Sequence, residues 1–268
     1  MKKKHWIILA VVSLLLICLV GWTVWGNLTV GLTTITVREE NLPYAYNGFR
    51  IAHISDLHNS DLWEKAIAQL QKADPDIIVI TGDIVDAKRT DVSQTLKFVM
   101  EARKIADCFY VTGNHEMNIS DQQLAELLEG METIGVYVLD DVQVSVHHKG
   151  AYIALVGHSW GNTSSVGDLC DFDGYRILLS HQPEALEDYS TAGYDLVFSG
   201  HAHGGQIRIP LLGGIFAPGQ GLFPKYDSGH YNVGRTDLIV SRGIGNSTFP
   251  IRFNNRPEVV LVVLESGK

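Results

Sequence analysis

The chain has 268 residues, 46% hydrophobic and 19% charged, with a formal net charge of −9. That length and apolar content support one large globular unit or two small ones with a substantial core. Lysine occupies three of the first four positions, so the remainder is more acidic than the total. Such a surface excludes sequence-independent nucleic-acid binding through a basic face, and no nucleic acid is expected as a partner. Bound divalent cations would offset part of the excess acid.

Lys2, Lys3 and Lys4 precede an uncharged run from Trp6 to Trp25. As a helix at ~1.5 Å per residue it would span ~30 Å, about one bilayer core. Trp6, Trp22 and Trp25 fall at its ends, where aromatic rings favour the interface. The reading is a cytoplasmic tail at 1–5 and a transmembrane anchor at 6–26. The basic tail stays inside, which places the rest on the extracytoplasmic side of the cell membrane as a single-pass protein. A cleaved signal peptide competes with this, although Val24-Trp25-Gly26 matches a cleavage site only weakly.

Residues 27–47 form a connector whose Leu32–Val37 stretch alternates like a first strand. The main domain is read from 48 to 268. It opens with a strand over Arg50–Ser55, a helix over 62–72 with Leu62, Ala66, Ile67 and Leu70 on one face, a strand over Asp76–Thr81 and a helix over 91–105. A strand over Cys108–Thr112 and a helix over 120–131, with Ser120 as N-cap, continue the alternation. Strands are then expected at Val136–Leu139, Val142–His147, Ala151–Val156, Arg176–Ser180, Leu196–Ser199, Ile207–Ile209, Asp237–Ser241 and Val259–Leu264, with a helix at 183–189. The fold class is α/β, two sheets packed together with helices outside.

Five short motifs follow apolar strands in this order: Asp56-Leu57-His58, Gly82-Asp83, Gly113-Asn114-His115-Glu116, His181 and Gly200-His201-Ala202-His203. Ligands gather at the carboxyl ends of strands in layered α/β folds, so five strands aim ligand-type side chains at one edge. Two close divalent ions repel each other and need a bridging carboxylate. Imidazole, carboxylate and amide donors suit manganese, zinc or iron without thiolate. Alternate residues of Asp56-x-His58 and His201-x-His203 would point the same way on an extended chain. Glycines at 82, 113 and 200 would permit tight turns and close backbone approach.

With these residues in place, the chain resembles the calcineurin-like metallophosphoesterase superfamily over roughly residues 48 to 265. The matching residues are Ser55-Asp56-Leu57-His58, Gly82-Asp83, Gly113-Asn114-His115-Glu116, His181 and Gly200-His201-Ala202-His203. The segment Phe216–Gly221, running into Phe223-Pro224-Lys225-Tyr226, looks like the bacterial membrane-associated branch. The resemblance implies an α-β-β-α layered fold and two divalent metal ions per chain. Asp56, His58 and His203 would hold one ion, and Asn114, His181 and His201 the other, with Asp83 bridging. His115 would be catalytic, facing the substrate phosphate and protonating the leaving alkoxide. The implied activity is a metal-dependent phosphodiesterase, cleaving its phosphoester by in-line attack of a metal-bridging hydroxide. The substrate could be lipid-linked. A phosphomonoesterase or pyrophosphatase on a nucleotide-linked lipid precursor, and a non-catalytic metal-binding interaction module, stay open as alternatives.

His53, His158 and His230 are read as structural, and His147-His148 as a surface pair beside a hairpin turn. Glu116 either orients His115 or is a surface carboxylate. Cys108 and Cys170 either pair or are buried thiols. The glycine-rich stretch Leu211–Pro224 cannot be one regular element. It either walls the active site or faces the membrane.

Overall fold

The computed structural model describes residues 2–246 and 249–267. Helix α1 (Lys2–Asn27) carries no acidic residue in its first turn, and its most apolar 18-residue window, of mean hydropathy 2.8, is left unburied by the rest of the chain. It is long and apolar enough to cross a membrane.

The domain elements follow in order: β1 (Gly31–Glu39), β2 (Arg50–Ile54), α2 (Trp63–Ala73), β3 (Ile77–Thr81), α3 (Val92–Arg103), β4 (Asp107–Val111), α4 (Asp121–Ile134), β5 (Tyr137–Val138), β6 (Gln143–His148), β7 (Ala151–His158), β8 (Arg176–Ser180), α5 (Leu186–Thr191) and β9 (Leu196–Ser199). Two short hairpins come next, β10 (Arg208–Ile209) with β11 (Gly213–Gly214) and β12 (Phe216–Ala217) with β13 (Gly221–Leu222). The strands β14 (Gly229–Val233), β15 (Thr236–Val240) and β16 (Glu258–Ser266) finish the chain.

One sheet has the order β1-β16-β2-β3-β4-β5. Strands β2 to β5 are parallel, while β16 runs antiparallel to β2 and parallel to β1. The other has the order β14-β15-β9-β8-β7-β6, parallel from β15 to β7 with an antiparallel strand at each edge. Ile51, Val79, Val111, Leu155, Ile177 and Phe198 meet between the sheets. Their strand neighbours Ala52, Ile54, Ile78 and Ile80 point the other way, against Leu70, Phe98 and Leu127 of the helices. Val156, Leu178, Val197 and Val240 likewise face Leu186 and Tyr189. Strands buried on both faces read as continuous apolar runs, which is why they were visible in the sequence. The result is the α-β-β-α sandwich expected from it.

Details differ from expectation. Ile207–Ile209 contributes only the two-residue β10 of a small hairpin, not a strand of either sheet. The 183–189 helix is a 3₁₀ turn (Pro183–Ala185) followed by α5. Strand β14 was not anticipated, because its polar His230 and Asn232 alternate with half-exposed positions on an edge. Ser120 does cap α4, within a reciprocal capping box with Gln123. Cys108 and Cys170 are unpaired. Cys108, on β4, faces the helices outside the first sheet and Cys170 packs on the outer face of the second, so the sandwich separates them.

One topological consequence positions everything that follows. Because β1 and β16 run opposite to β2, β3 and β4, β1 begins at the edge where those three strands end. Helix α1 therefore enters the domain on the edge that carries the motifs.

Candidate metal centre

The loops after β2, β3, β4, β8 and β9 bring the expected residues into one buried cluster. Asp56 and His181 are fully buried, and His58, Asp83, His201 and His203 nearly so. His203 Nε2 lies 3.3 Å from Asp56 Oδ1, and His58 Nε2 lies 3.7 Å from the same oxygen and 3.2 Å from His203 Nε2. On the other side, His181 Nε2 is 3.2 Å from Asp83 Oδ2. Two groups of three follow, Asp56-His58-His203 and Asp83-His181-His201, each with its donor atoms converging. His58, Asp83 and His115 converge between them.

These residues fit divalent cations. Donor atoms 3.2–3.7 Å apart match the spacing around an ion with bonds of about 2.0–2.2 Å. The buried Asn114 Oδ1 and His181 Nε2 have no hydrogen-bond partner among the described residues. A buried acceptor left without a donor is costly, and a cation removes that cost. His181 Nδ1 meets the Thr81 carbonyl at 2.5 Å, which fixes the proton on Nδ1 and leaves Nε2 as the donor atom.

Burial alone would lower His181 and raise Asp83. Their mutual attraction overrides it, pushing His181 up to about 10 and holding Asp83 well below the carboxylate range, so a proton on Nε2 facing Asp83 stands where a cation would take its place. Burial keeps His201 and His203 neutral, at about 4 and about 3.

The ligand pairs converge in a different way from that expected. Asp56, His58, Asp83, His201 and His203 all have positive φ, between 47° and 64°. The D-x-H and H-x-H segments are therefore left-handed turns and not extended strands. Their side chains converge by backbone twist, and His201 and His203 fall into separate groups. Non-glycine residues held in this region cost energy and cluster at functional sites.

Glycines make the close approach possible. A Cβ on Gly82, whose φ is +77°, would stand 2.5 Å from the Gly113 nitrogen. One on Gly200 would fall onto Ser55 Oγ and Asp56. Only Gly82 of the three needs a left-handed backbone; Gly113 and Gly200 need the space.

Glu116 is fully buried and is not a surface carboxylate. Its Oε2 accepts from the backbone N–H of Asp83 at 2.9 Å and of Gly113 at 2.8 Å, and its Oε1 from Ile84 at 2.9 Å and Val85 at 3.3 Å. One side chain thus ties the β3 loop to the β4 loop. His115 accepts at Nδ1 from the Ala87 N–H at 3.0 Å. A backbone N–H can only donate, so the ring carries its proton on Nε2, 4.0 Å from Asp83 Oδ2. Its side chain is 14% exposed, more open than the imidazoles of His58, His181 and His203.

Two further residues escaped the sequence. The Trp160 ring stands 4.9 Å from that of His201 and 5.7 Å from that of His181, walling one flank. Arg252 is buried behind His203, with Nη2 3.4 Å from His203 Nδ1. Trp160 offered a signal, since it sits just past the end of β7 beside His158; Arg252 lies in an unremarkable loop. Three other histidines are structural: His53 Nε2 meets Thr81 Oγ1 at 2.8 Å, His158 pairs with Asp141 and His230 with Asp237.

A two-sheet sandwich that gathers two carboxylates and four imidazoles at one strand edge defines a metal-dependent hydrolase. Residues 49–205 match the calcineurin-like phosphoesterase family, and the chain belongs to it: it is a metal-dependent phosphoester hydrolase. It is 30% identical over 257 residues to the uncharacterized metallophosphoesterase YkuE of Bacillus subtilis (strain 168), covering 87% of this chain and 85% of that protein. It is 29% identical over 227 residues to the phosphodiesterase YaeI of Escherichia coli (strain K12), covering 81% and 82%. Among solved structures, the sulfate thiohydrolase SoxB of Thermus thermophilus has the same fold, with a TM-score of 0.52 at 14% identity, over 84% of this chain and 57% of that one.

Proposed function

We propose that this protein is a dinuclear phosphodiesterase held at the outer face of the cell membrane by α1. In this reading Asp56, His58 and His203 hold one cation, and Asn114, His181 and His201 the other. Asp83 bridges the two. The observation that carries it is the membership of Asp83 in two converging donor groups, one with His181 and His201 and one with His58 and His115. Manganese, zinc and iron all suit the donor set. When bound, such ions lower the pKa of a shared water and neutralise charge on the phosphoryl group.

The chain's own residues do the rest. His58 stays in place against the His115 ring, 4.4 Å away centroid to centroid. His115 presents Nε2–H toward the substrate and donates a hydrogen bond to a phosphoryl oxygen. With its Nδ1 lone pair engaged by Ala87 and its pKa lowered by burial, this role suits it better than delivering a proton to the leaving group. Glu116 fixes the relative position of the Asp83 and Asn114 loops, and Trp160 limits how far the leaving group can spread.

The diester preference draws on the name carried by the E. coli relative. Membrane attachment draws on α1, whose C-terminal end shares the edge of the site. The two small hairpins add to it: Leu211 and Leu212 at the tip of the first, and Leu222 and Phe223 at the end of the second, project into solvent, while Gly214 and Ala217 are buried. A lipid-linked phosphoester would reach this edge directly.

The test is metal analysis of the full chain purified in detergent, coupled to paired assays on bis- and mono-p-nitrophenyl phosphate with added manganese. The expected result is two ions per chain and faster diester cleavage. Faster monoester cleavage would replace the diesterase with a monoesterase or pyrophosphatase. Two bound ions with no turnover of any phosphoester would leave a binding module. Alkaline extraction of membranes and protease access in spheroplasts test the anchor and its orientation.

A further inference from the structure

A cavity of about 210 Å³ lies where the end of α1 meets the domain, lined by Trp22, Trp25, Arg242, Arg252, Asn254 and Arg256 among others. Three guanidinium groups converge there. Among the described residues one ion pair reaches them, Arg242 Nε to Glu258 Oε1 at 3.7 Å, beyond hydrogen-bond length. Arg252 directs its N–H groups inward, to the carbonyls of Arg242 and Gly245 and to Asn246 Oδ1. It supplies charge to the cavity but few free donors. Arg256 stacks on Trp25 with Cζ 4.6 Å from the ring centroid, and its Nη2 donates to the Val30 carbonyl at 2.8 Å. The buried Nε atoms of Arg242 and Arg256 have no hydrogen-bond partner among the described residues. Buried guanidinium N–H groups without an acceptor are costly, and a phosphate oxygen is the acceptor that guanidinium geometry fits best.

Size and depth narrow the ligand. The cavity falls below the ~300–1,000 Å³ of pockets that enclose a whole small molecule, so it suits a phosphate and its first linked atoms. Trp22 and Trp25 mark the level of the lipid headgroups if α1 spans the membrane. Arg256 already lies over one face of Trp25, and the positive charge of the three lining arginines disfavours a choline or ethanolamine cation beside it. We infer that this cavity binds the headgroup phosphate of an anionic glycerophospholipid, such as phosphatidylglycerol, at the membrane surface. The inference rests on the reading of α1 as a membrane span and is independent of the metal centre.

The experiment uses the full chain in dodecyl maltoside. Adducts with dioleoylphosphatidylglycerol and with dioleoylphosphatidylcholine are counted by native mass spectrometry, with and without inorganic phosphate. Retention of phosphatidylglycerol over phosphatidylcholine by about tenfold is expected, falling to parity in R242Q/R256Q, as two charge-assisted contacts are lost. Equal retention of both lipids, or unchanged selectivity in the double variant, overturns the site. Displacement of the lipid by inorganic phosphate, with phosphate bound in its absence, overturns the lipid source. Thermal shifts of the wild-type chain with each lipid give a readout free of any folding defect in the variant. Alkaline extraction of the same chain from membranes separates a failed pocket, in which the protein stays in the pellet, from a failed anchor, in which it does not.

Discussion

Asn27 and Arg252 exchange two hydrogen bonds across 225 residues of sequence. The Asn27 amide donates to the Arg252 carbonyl at 2.7 Å and its Oδ1 accepts from the Arg252 N–H at 2.8 Å. The side chain of the same arginine reaches His203. One residue, Arg252, thus stands between the end of α1 and His203.

Replacing that arginine should be expensive. Arg252→Met removes a buried charge and strands two carbonyls and an amide oxygen that it now satisfies. The expected loss is about 3 kcal/mol or more, seen as a Tm lower by roughly 6–12 °C. Arg252→Lys should not restore it, because an ammonium cannot serve acceptors on both sides of a planar fork. An unchanged melting curve for Arg252→Met would refute the account of what this side chain does.

Glu116→Gln tests the clamp between the two loops. The substitution places an NH₂ group against backbone N–H donors that now point at a carboxylate oxygen. Metal affinity should fall about 10–100-fold, as it does when partners behind the ligands are lost. Measuring ions per chain across a chelator series checks this. Full metal retention would show that the loops hold themselves.

His115→Ala should separate binding from turnover. The variant is expected to keep both ions and lose about 10²–10³ in kcat, the scale of one lost oxyanion donor. Loss of metal along with activity would instead make His115 a ligand.

Gly200→Ala should abolish activity, because its Cβ would overlap Ser55 Oγ and the Asp56 carboxylate. Gly150→Ala serves as a control: it sits in open space at the β6–β7 turn, and with φ at +81° it should cost only about 1 kcal/mol of backbone strain. Activity of Gly200→Ala near the wild-type level would mean that the β2 and β9 loops can separate without harm.

A pH effect is expected at the far edge of the sandwich. Glu39 is pushed up to about 8, by burial and then by the Asp237 carboxylate beside it. Asp237 stays ionised despite its own burial, since His230 Nε2 meets it at 2.6 Å. Glu39 therefore takes the proton. A carboxyl whose folded pKa is raised contributes stability that is complete below its unfolded value of 4.5 and is lost as pH rises toward about 8. Glu39→Gln should flatten this decline and raise Tm by about 2 °C above pH 8, with little change near pH 5, after discounting for partial exposure. Equal slopes of Tm against pH in the two proteins would count against it.

Much of this architecture was readable before any coordinates. Strands such as Ile77–Thr81 are buried on both faces and so are apolar throughout, and the motif residues follow them directly. The left-handed turns at Asp56, His58 and His203 were not readable, because ordinary residues there give no local sign of positive φ. Glu116 was ambiguous since its partners are backbone groups on a different loop. Arg252 left no trace at all: what it touches, from Asn27 to His203, comes together only in three dimensions. The edge strand β14 was missed because half of its face meets water.

The place of β16 has a consequence for biosynthesis. The last strand of the chain lies between two of the first, β1 and β2. Until residues 258–266 have been made, β2 lacks a neighbour on one side and the turn that carries Asp56 rests on an open edge. The sheet cannot close until those residues have left the ribosome. A domain made from its N-terminal side therefore completes the sheet behind its motif edge only once residues 258–266 arrive.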